Sequence, residues 1–398
     1  VKKILFIIIE AGGGHRASAK AITEGLSFLY GDEIVAKTVD VTKEFTFPPV
    51  IQSDEAYRWL TSNGIWMWKA LWYTDDKAWV PRVLSPVLTP FLSYEVRRLF
   101  LSEKPDMVVS VHCMANHIPL RVLRKELQVD VPFVTVVTDM VTVHPLWICP
   151  DVDYCTVPTE AAQARALRYG MPPDRLEVVG QPVSPKFAAG LGDKGDLRRK
   201  LNLAPERPCA LIVGGGDGVG PIYETARAMN AQVPNVQLIV VAGRNMRLRR
   251  RLEDADWTIP TRVYGFVHNM PELMGASDLL ITKAGPGTLA EAFIAGLPVV
   301  VYGFIPGQEE GNVRYVQEHN AGAFATDPVA VARIARDWLH PGNDEWRQVV
   351  ANAAALARPN AALVIAERLH DLLERQTEKN TLWPTLSPLR QLVYRLAR

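Results

Sequence analysis

Apolar positions along this chain fall in short unbroken blocks, separated by stretches with helical spacing. Lys3–Ile9 is an Ile-rich run without polar interruption, the pattern of a parallel strand buried on both faces. A glycine turn at 12–14 follows. Ile22, Leu26 and Leu29 then recur at helical spacing, which predicts a helix over Arg16–Tyr30. Ile34–Val41, Met107–Val111 and Phe133–Val137 read as further strands. Gly180–Asp196, "GQPVSPKFAAGLGDKGD", has Pro, Gly and charge but no apolar period, and marks a boundary. The pattern then restarts. Ala210–Val213 is a strand, Gly214–Gly220 a glycine loop, and Pro221 stands where a first helical residue would. Gln237–Ala242, Thr261–Tyr264, Leu279–Thr282 and Pro298–Tyr302 supply more strands.

Strands alternating with helices predict an α/β protein of two Rossmann-like domains facing a cleft. The expected division is 1–185, 186–365 and a tail of C-terminal helices, 366–398, that either cross back to the first domain or touch a membrane. Ligands of such sheets bind at the carboxyl ends of the strands, so the cleft is the expected site.

Composition narrows the class. A chain of 398 residues that is 48% hydrophobic has ample material for two cores. The formal net charge of +1 gives no basic footprint for nucleic acid. The four cysteines, Cys113, Cys149, Cys155 and Cys209, form no CxxC pair and read as reduced thiols of a cytoplasmic protein. No stretch reaches the ~20 apolar residues of a membrane span, and the first apolar run is too short for a signal peptide. A membrane, if met, is met from its surface.

The first glycine loop contains Gly12-x-Gly14-x-x-Ala17, a match to the dinucleotide fingerprint, which keeps a nicotinamide oxidoreductase in play. Its acidic partner, Asp40, comes late, and the fingerprint has no use for His15. In the second half, "TKAGPGTLAEAFIAGLP" (Thr282–Pro298) turns at Gly285, Pro286 and Gly287 into a helix expected to start near Thr288. The unpaired N–H groups of a helix start suit a diphosphate. Glu291 has two readings: the far end of a Thr288-x-x-Glu291 capping box, or a bidentate acceptor for ribose hydroxyls. Gln308 and Glu309, in "GFIPGQEEGN", are either surface residues or hydrogen-bond partners of sugar hydroxyls at a strand's carboxyl end. Asp151-Val152-Asp153 and Asp254-Ala255-Asp256 match a metal-binding DxD but are too short to be specific, and no metal is expected.

Six segments together resemble a known family. "EAGGGHRASAKAI", "SVHCMANHIPLRVLR", "TDMVTVHPLWICPDVDYCTVPTE", "GQPVSPKF", "GFVHNMPELMGASDLLITKAGPGTLAEAFIAGLPVV" and "PGQEEGNVRYV" follow in order from Glu10 to Val316. They are similar to monogalactosyldiacylglycerol synthases, relatives of the diacylglycerol glucosyltransferases and of the enzyme that adds N-acetylglucosamine to the peptidoglycan lipid. The resemblance implies the two-Rossmann GT-B architecture and an inverting, metal-independent transfer from a UDP-sugar to a lipid hydroxyl. UDP-sugar is then a substrate, and no cofactor is implied. "KAGPG" is closer to the galactosyl enzymes than the "KPGG" of the glucosyl branch, which favours UDP-galactose over UDP-glucose as donor. Diacylglycerol is the implied acceptor.

Carried over residue by residue, Phe266 and Val267 pack the uracil and Glu291 holds the ribose. Gly214, Gly215, Gly216, Gly287 and Thr288 hold the diphosphate, and Gln308 and Glu309 read the sugar. His15 is the base, since imidazole titrates near neutral pH. Asp139 is the second choice for that role. Gly14 lies on the acceptor side, and His117 either orients the acceptor or is structural. Two further glycosyl-independent readings stay open: the oxidoreductase, which predicts NAD(P)H binding to the first domain, and a sensor that binds UDP without turnover.

A lipid acceptor calls for a membrane-facing surface. Tyr57–Trp79 holds five of the ten tryptophans, interleaved with Arg58, Lys69 and Lys77. Trp66, Trp68 and Trp72 are the expected interfacial anchors, against the competing role of core packing. "SPLRQLVYRLAR" at the C-terminus has Leu389, Leu392, Val393 and Leu396 on one helical face with Arg390, Arg395 and Arg398 nearby, suited to an anionic membrane surface. The five arginines of "RNMRLRRRLE" (Arg244–Glu253) read as a solvated helix face. The expected location is cytoplasmic, peripheral on the inner face of the cell membrane.

Overall fold

The computed structural model describes residues 1–9, 13–41, 64, 66, 80–340, 342–377 and 383–384. Gly12, Trp68, Trp72 and the amphipathic segment from 387 onward lie outside the described residues.

Two six-stranded sheets carry the fold, and every paired strand runs parallel to its neighbours. The first holds β1 (Lys2–Ile8), β2 (Ile34–Asp40), β3 (Met107–Ser110), β4 (Phe133–Val136), β5 (Tyr154–Val157) and β6 (Leu176–Val178), in the order β2-β1-β3-β4-β5-β6. The second holds β7 (Cys209–Val213), β8 (Gln237–Val241), β9 (Thr261–Tyr264), β10 (Leu279–Lys283), β11 (Val299–Gly303) and β12 (Gly322–Phe324), in the order β12-β11-β10-β7-β8-β9. Fourteen α-helices among the described residues cross between them. They are α1 (Gly14–Tyr30), α2 (Val80–Glu103), α3 (His117–Arg121), α4 (Glu160–Arg168), α5 (Pro185–Ala189), α6 (Lys194–Lys200) and α7 (Ile222–Gln232), then α8 (Met246–Glu253), α9 (Met270–Gly275), α10 (Pro286–Ile294), α11 (Glu310–Glu318), α12 (Pro328–Trp338), α13 (Asp344–Ala355) and α14 (Ala361–Thr377).

The central strands read as they pack. In β1, Ile4, Phe6 and Ile8 enter one core layer, and Leu5 and Ile7 enter the layer on the opposite face. In β7, Leu211 and Val213 face one layer while Ala210 and Ile212 face the other. Burial on both faces explains why neither strand shows polar alternation. The strands β5, β6 and β12 have three or four residues each, too few for a pattern. The stretch between the sheets carries the short helices α5 and α6.

Each sheet reverses direction once. The chain leaves β1 for β2 on one side and returns to β3 on the other; likewise it fills β8 and β9 before β10 joins β7 from the opposite side. These are the two switch points, where the connections diverge and leave a crevice at the strands' carboxyl ends.

The last described helix ties the halves together. α14 follows the second sheet in sequence yet packs on the first. Ile365, Ala366, Leu369 and Leu373 share a layer with Ile22 and Leu26 of α1. Gly25 permits the approach: a Cβ there would sit 2.9 Å from the Ala362 carbonyl oxygen and 3.4 Å from Ala366 Cβ. Gly25→Val should lower the free energy of unfolding by about 1–3 kcal/mol through overpacking, measured by chemical denaturation. Stability equal to the parent would contradict this close approach.

Candidate active site

At the first switch point, β1 ends and α1 begins with Gly13 at φ +83°. No side chain caps α1, and its first turn carries no acidic residue. A Cβ at Gly13 or Gly14 would meet nothing within 4 Å among the described residues. His15 stands in the first turn. The neighbouring strand β3 leads to His112, whose ring lies edge-on to His15 with centroids 4.6 Å apart. Trp147 approaches the His15 ring at 6.1 Å, and Thr138 Oγ1 lies 2.9 Å from His15 Nδ1. Burial pushes the His15 pKa down to about 4, and that of His112 well below its ordinary value. Both rings are therefore neutral at neutral pH, and His15 keeps a lone pair for taking a proton.

Asp139 is buried beside this pair. Its Oδ2 accepts from Trp147 Nε1 at 2.7 Å, and its Oδ1 accepts from Gln308 Nε2, 3.3 Å away in the other half of the molecule. Burial raises its pKa to about 6, against the pull of those two bonds. Buried Asn116 braces the same loops by bonding the carbonyls of Cys113 and Trp147 and the hydroxyl of Thr135. A second bond joins the halves: Gly311 N–H donates to Thr142 Oγ1 at 3.2 Å. A Cβ on Gly311 would lie 2.3 Å from that oxygen, so the contact needs glycine.

At the second switch point, the loop after β7 folds against the loop after β8. A Cβ on Gly218, at φ +60°, would fall 2.0 Å from the Ala242 carbonyl oxygen. Tyr302 holds the same loop from below by donating to the Val219 carbonyl at 2.9 Å. Gly216 borders Arg244, whose guanidinium lies 4.5 Å from the Phe266 ring centroid. Phe266 is 47% exposed at the tip of the turn after β9, with Val267 half-buried behind it.

The helix after β10 starts earlier than expected. Gly285 is its N-cap, Pro286 its first residue, and no side chain caps it. Thr288 is already inside the first turn, so the Thr288–Glu291 capping box does not form. A Cβ on Gly287 would meet nothing within 4 Å among the described residues. Glu291 lies one turn on, and burial alone raises its pKa to about 7; nothing among the described residues offsets that cost. Gln308 and Glu309 sit at the start of α11, Gln308 reaching Asp139 and buried Glu309 bonding Lys283 Nζ and the Ile305 N–H.

Direct contacts join His15, Trp147, Asp139 and Gln308 at the first switch point, and Gly215, Gly216, Phe266 and Glu309 gather around Lys283 and Arg244 at the second. Gly14, Gly214, Val267, Gly287, Thr288 and Glu291 are placed by the loops and helix starts that carry them. His117 stands apart at the start of α3. Its Nε2 is buried without a hydrogen-bond partner among the described residues, and burial holds its pKa near about 4. Trp66 is 73% exposed. Asp153 bonds the Arg124 guanidinium and the Phe133 N–H, and Asp254 closes α8. His112, Thr138, Trp147 and Lys283 belong to the site and were not singled out from sequence, while Arg244, read there as part of a solvated helix face, lies ahead of α8 beside the Phe266 ring. Only Lys283 carried a signal, as the last residue of a strand at a switch point.

Comparison with known proteins bears on both halves. Residues 15–183 match the family model described as monogalactosyldiacylglycerol (MGDG) synthase, and residues 209–335 match the glycosyltransferase family 28 C-terminal domain. The chain is 38% identical to monogalactosyldiacylglycerol synthase 2, chloroplastic, of Arabidopsis thaliana, covering 94% of this chain and 82% of that protein. It is 40% identical to a probable chloroplastic monogalactosyldiacylglycerol synthase of Nicotiana tabacum, covering 94% and 71%. Among solved structures, Acinetobacter baumannii MurG superposes with a TM-score of 0.58 at 16% identity, covering 93% of this chain and 100% of that one. That likeness fixes the two-domain GT-B arrangement.

The electrostatics of Glu291 give a test that needs no ligand. A carboxyl whose folded pKa is raised from 4.5 to about 7 leaves stability intact below its unfolded pKa and erodes it as pH rises to the folded value. Glu291→Gln should therefore make the empty protein more stable at pH 8 by on the order of 1–3 kcal/mol, and the gain should vanish by pH 4. A gain that is absent at pH 8, or equal at both pH values, would contradict the assignment.

Proposed function

Since the chain belongs to the monogalactosyldiacylglycerol synthase family, we propose that it transfers galactose from UDP-galactose to the free hydroxyl of 1,2-diacylglycerol, with inversion, to give the β-glycolipid. It is a hexosyltransferase. The observation that carries the finer reading is the meeting of the two switch points on one cleft, with a neutral imidazole on one wall and an uncapped helix start beside an unpaired carboxyl on the other.

The donor lies on the second half in this reading. Phe266 and Val267 take the uracil, the former in contact with its exposed ring face. Glu291 accepts from both ribose hydroxyls, which gives its carboxylate hydrogen-bond partners that none of the described residues supplies. Gly214, Gly215 and Gly216 let the backbone approach the diphosphate, while Gly287 and Thr288 offer N–H groups from the start of α10. Gln308 meets the sugar, and Glu309, expected from sequence to do the same, stands behind it with its two oxygens held by Lys283 Nζ and the Ile305 N–H.

The acceptor hydroxyl comes to His15. As its oxygen attacks the anomeric carbon, the imidazole takes the proton, and the bond from that carbon to the diphosphate oxygen breaks with its electron pair on UDP. One displacement inverts the centre. Neutral His15 suits this step because a protonated ring has no lone pair to offer. The negative charge developing on the leaving diphosphate is met by helix-start N–H groups, which supports transfer without a metal.

The acceptor resides in a bilayer. No described helix is long and apolar enough to cross a membrane, and exposed Trp66 supports peripheral contact, with Trp68, Trp72 and the basic C-terminal segment as further contacts. We place the enzyme on an anionic surface at the inner face of the cell membrane.

The test supplies diacylglycerol liposomes with labelled UDP-galactose or UDP-glucose, in EDTA, and follows label into the lipid. Label from UDP-galactose is expected; label from UDP-glucose alone would change the sugar, and none from either would overturn the reaction. His15→Ala should lower kcat by about 10²–10⁴-fold while UDP binds as it does to the parent. Undiminished turnover in that variant would remove His15 from the base role.

A further inference from the structure

We propose that Lys283 is a diphosphate-binding residue, held in place by buried Glu309, whose first task is to aim that ammonium. The inference rests on the UDP-sugar reading above.

Lys283 ends β10 at the second switch point and is one-quarter exposed, whereas the Glu309 side chain is only 4% exposed. Their ion pair links the end of β10 to the N-cap of α11. The far end of Lys283 occupies room left by two glycines. A Cβ on Gly285 would lie 3.0 Å from its Nζ, and a Cβ on Gly215 would lie 3.5 Å from its Cε. The ammonium therefore stands between the glycine loop after β7 and the N-cap of α10, the two backbone elements that line the same crevice.

A buried carboxylate remains ionised only with a partner, so the pair has a structural use. Its geometry gives it another. An ammonium carries three N–H donors, and the bond to Glu309 uses one. Glu309 is itself fixed by the Ile305 N–H at 2.9 Å, which leaves the lysine little freedom to swing away. A diphosphate seated on the glycine loop brings negative charge against this cation. The nearby Arg244 is already turned to Asp217 and the Phe266 ring.

A purely structural pair and a phosphate-binding pair differ in one measurable respect. A structural pair affects all ligands of the cleft alike; a phosphate-binding pair separates UDP from uridine. Calorimetric titration of the parent, Lys283→Met, Glu309→Gln and the double variant with UDP and with uridine reads this difference. The double variant removes the stranded carboxylate that Lys283→Met leaves behind, and uridine binding reports that each variant is folded.

The parent is expected to prefer UDP. Lys283→Met and the double variant should lose about 10–100-fold in UDP affinity, the worth of a charged hydrogen bond, with uridine affinity within about twofold of the parent. Glu309→Gln should weaken UDP itself, before any sugar is present. An unchanged UDP-to-uridine ratio in Lys283→Met would overturn the assignment of Lys283. Parent-like UDP affinity in Glu309→Gln would overturn the aiming role. A parent that binds neither ligand would overturn the UDP-sugar reading itself, and this inference with it.

Discussion

Two of the described helices that begin without a capping side chain, α1 and α10, start at the cleft, which is organised around their ends. α1 starts at Gly13 and α10 at Gly285, each directly after a central strand. Helix-start N–H groups must find partners in water, protein or ligand. Ser, Thr, Asp or Asn would satisfy them from within, as Thr159 does for α4 and Asp327 for α12. Glycine at both cleft positions leaves them for whatever enters. The parallel sheets force both ends to the same place, because each follows a strand at a switch point and the α1–α14 packing holds the halves together.

Water exclusion then sets the chemistry of the side chains nearby. It keeps the imidazole of His15 neutral, the state a base requires, and it raises the carboxyls of Asp139 and Glu291 toward neutrality. Three carboxyls at the site are resolved differently. Asp139 has both oxygens engaged by Trp147 and Gln308 and links the two halves. Glu291 has no such partners among the described residues. Glu309 has a lysine. One physical cause, desolvation, thus leaves the His15 ring neutral and raises two carboxyls, of which Asp139 is engaged across the halves.

Much of this was legible in the sequence where the signal was local. The buried strands, the restart after Gly180 and the glycine turns gave away the two-sheet plan, and the long motifs gave away the family. Short strands such as "LEV" and "GAF" were not legible, since three residues hold no period. The Thr288-x-x-Glu291 pattern misled about capping because Pro286, with its fixed φ, starts the helix two residues earlier. Pairings across the fold left no trace in sequence: His15 meets Thr138 over 123 positions and Gln308 meets Asp139 over 169. The pairing of Lys283 was hidden because its partner lies 26 residues on, at the start of another helix.

The anomeric configuration of the product tests the central claim most directly. Glycolipid made by the protein from UDP-galactose and diacylglycerol would be isolated and its anomeric proton coupling read by NMR. A single displacement with His15 as base predicts the β-galactolipid from the α-linked donor. An α-linked product would contradict it, because retention demands a different arrangement of groups around the anomeric carbon than one neutral imidazole facing an anchored diphosphate.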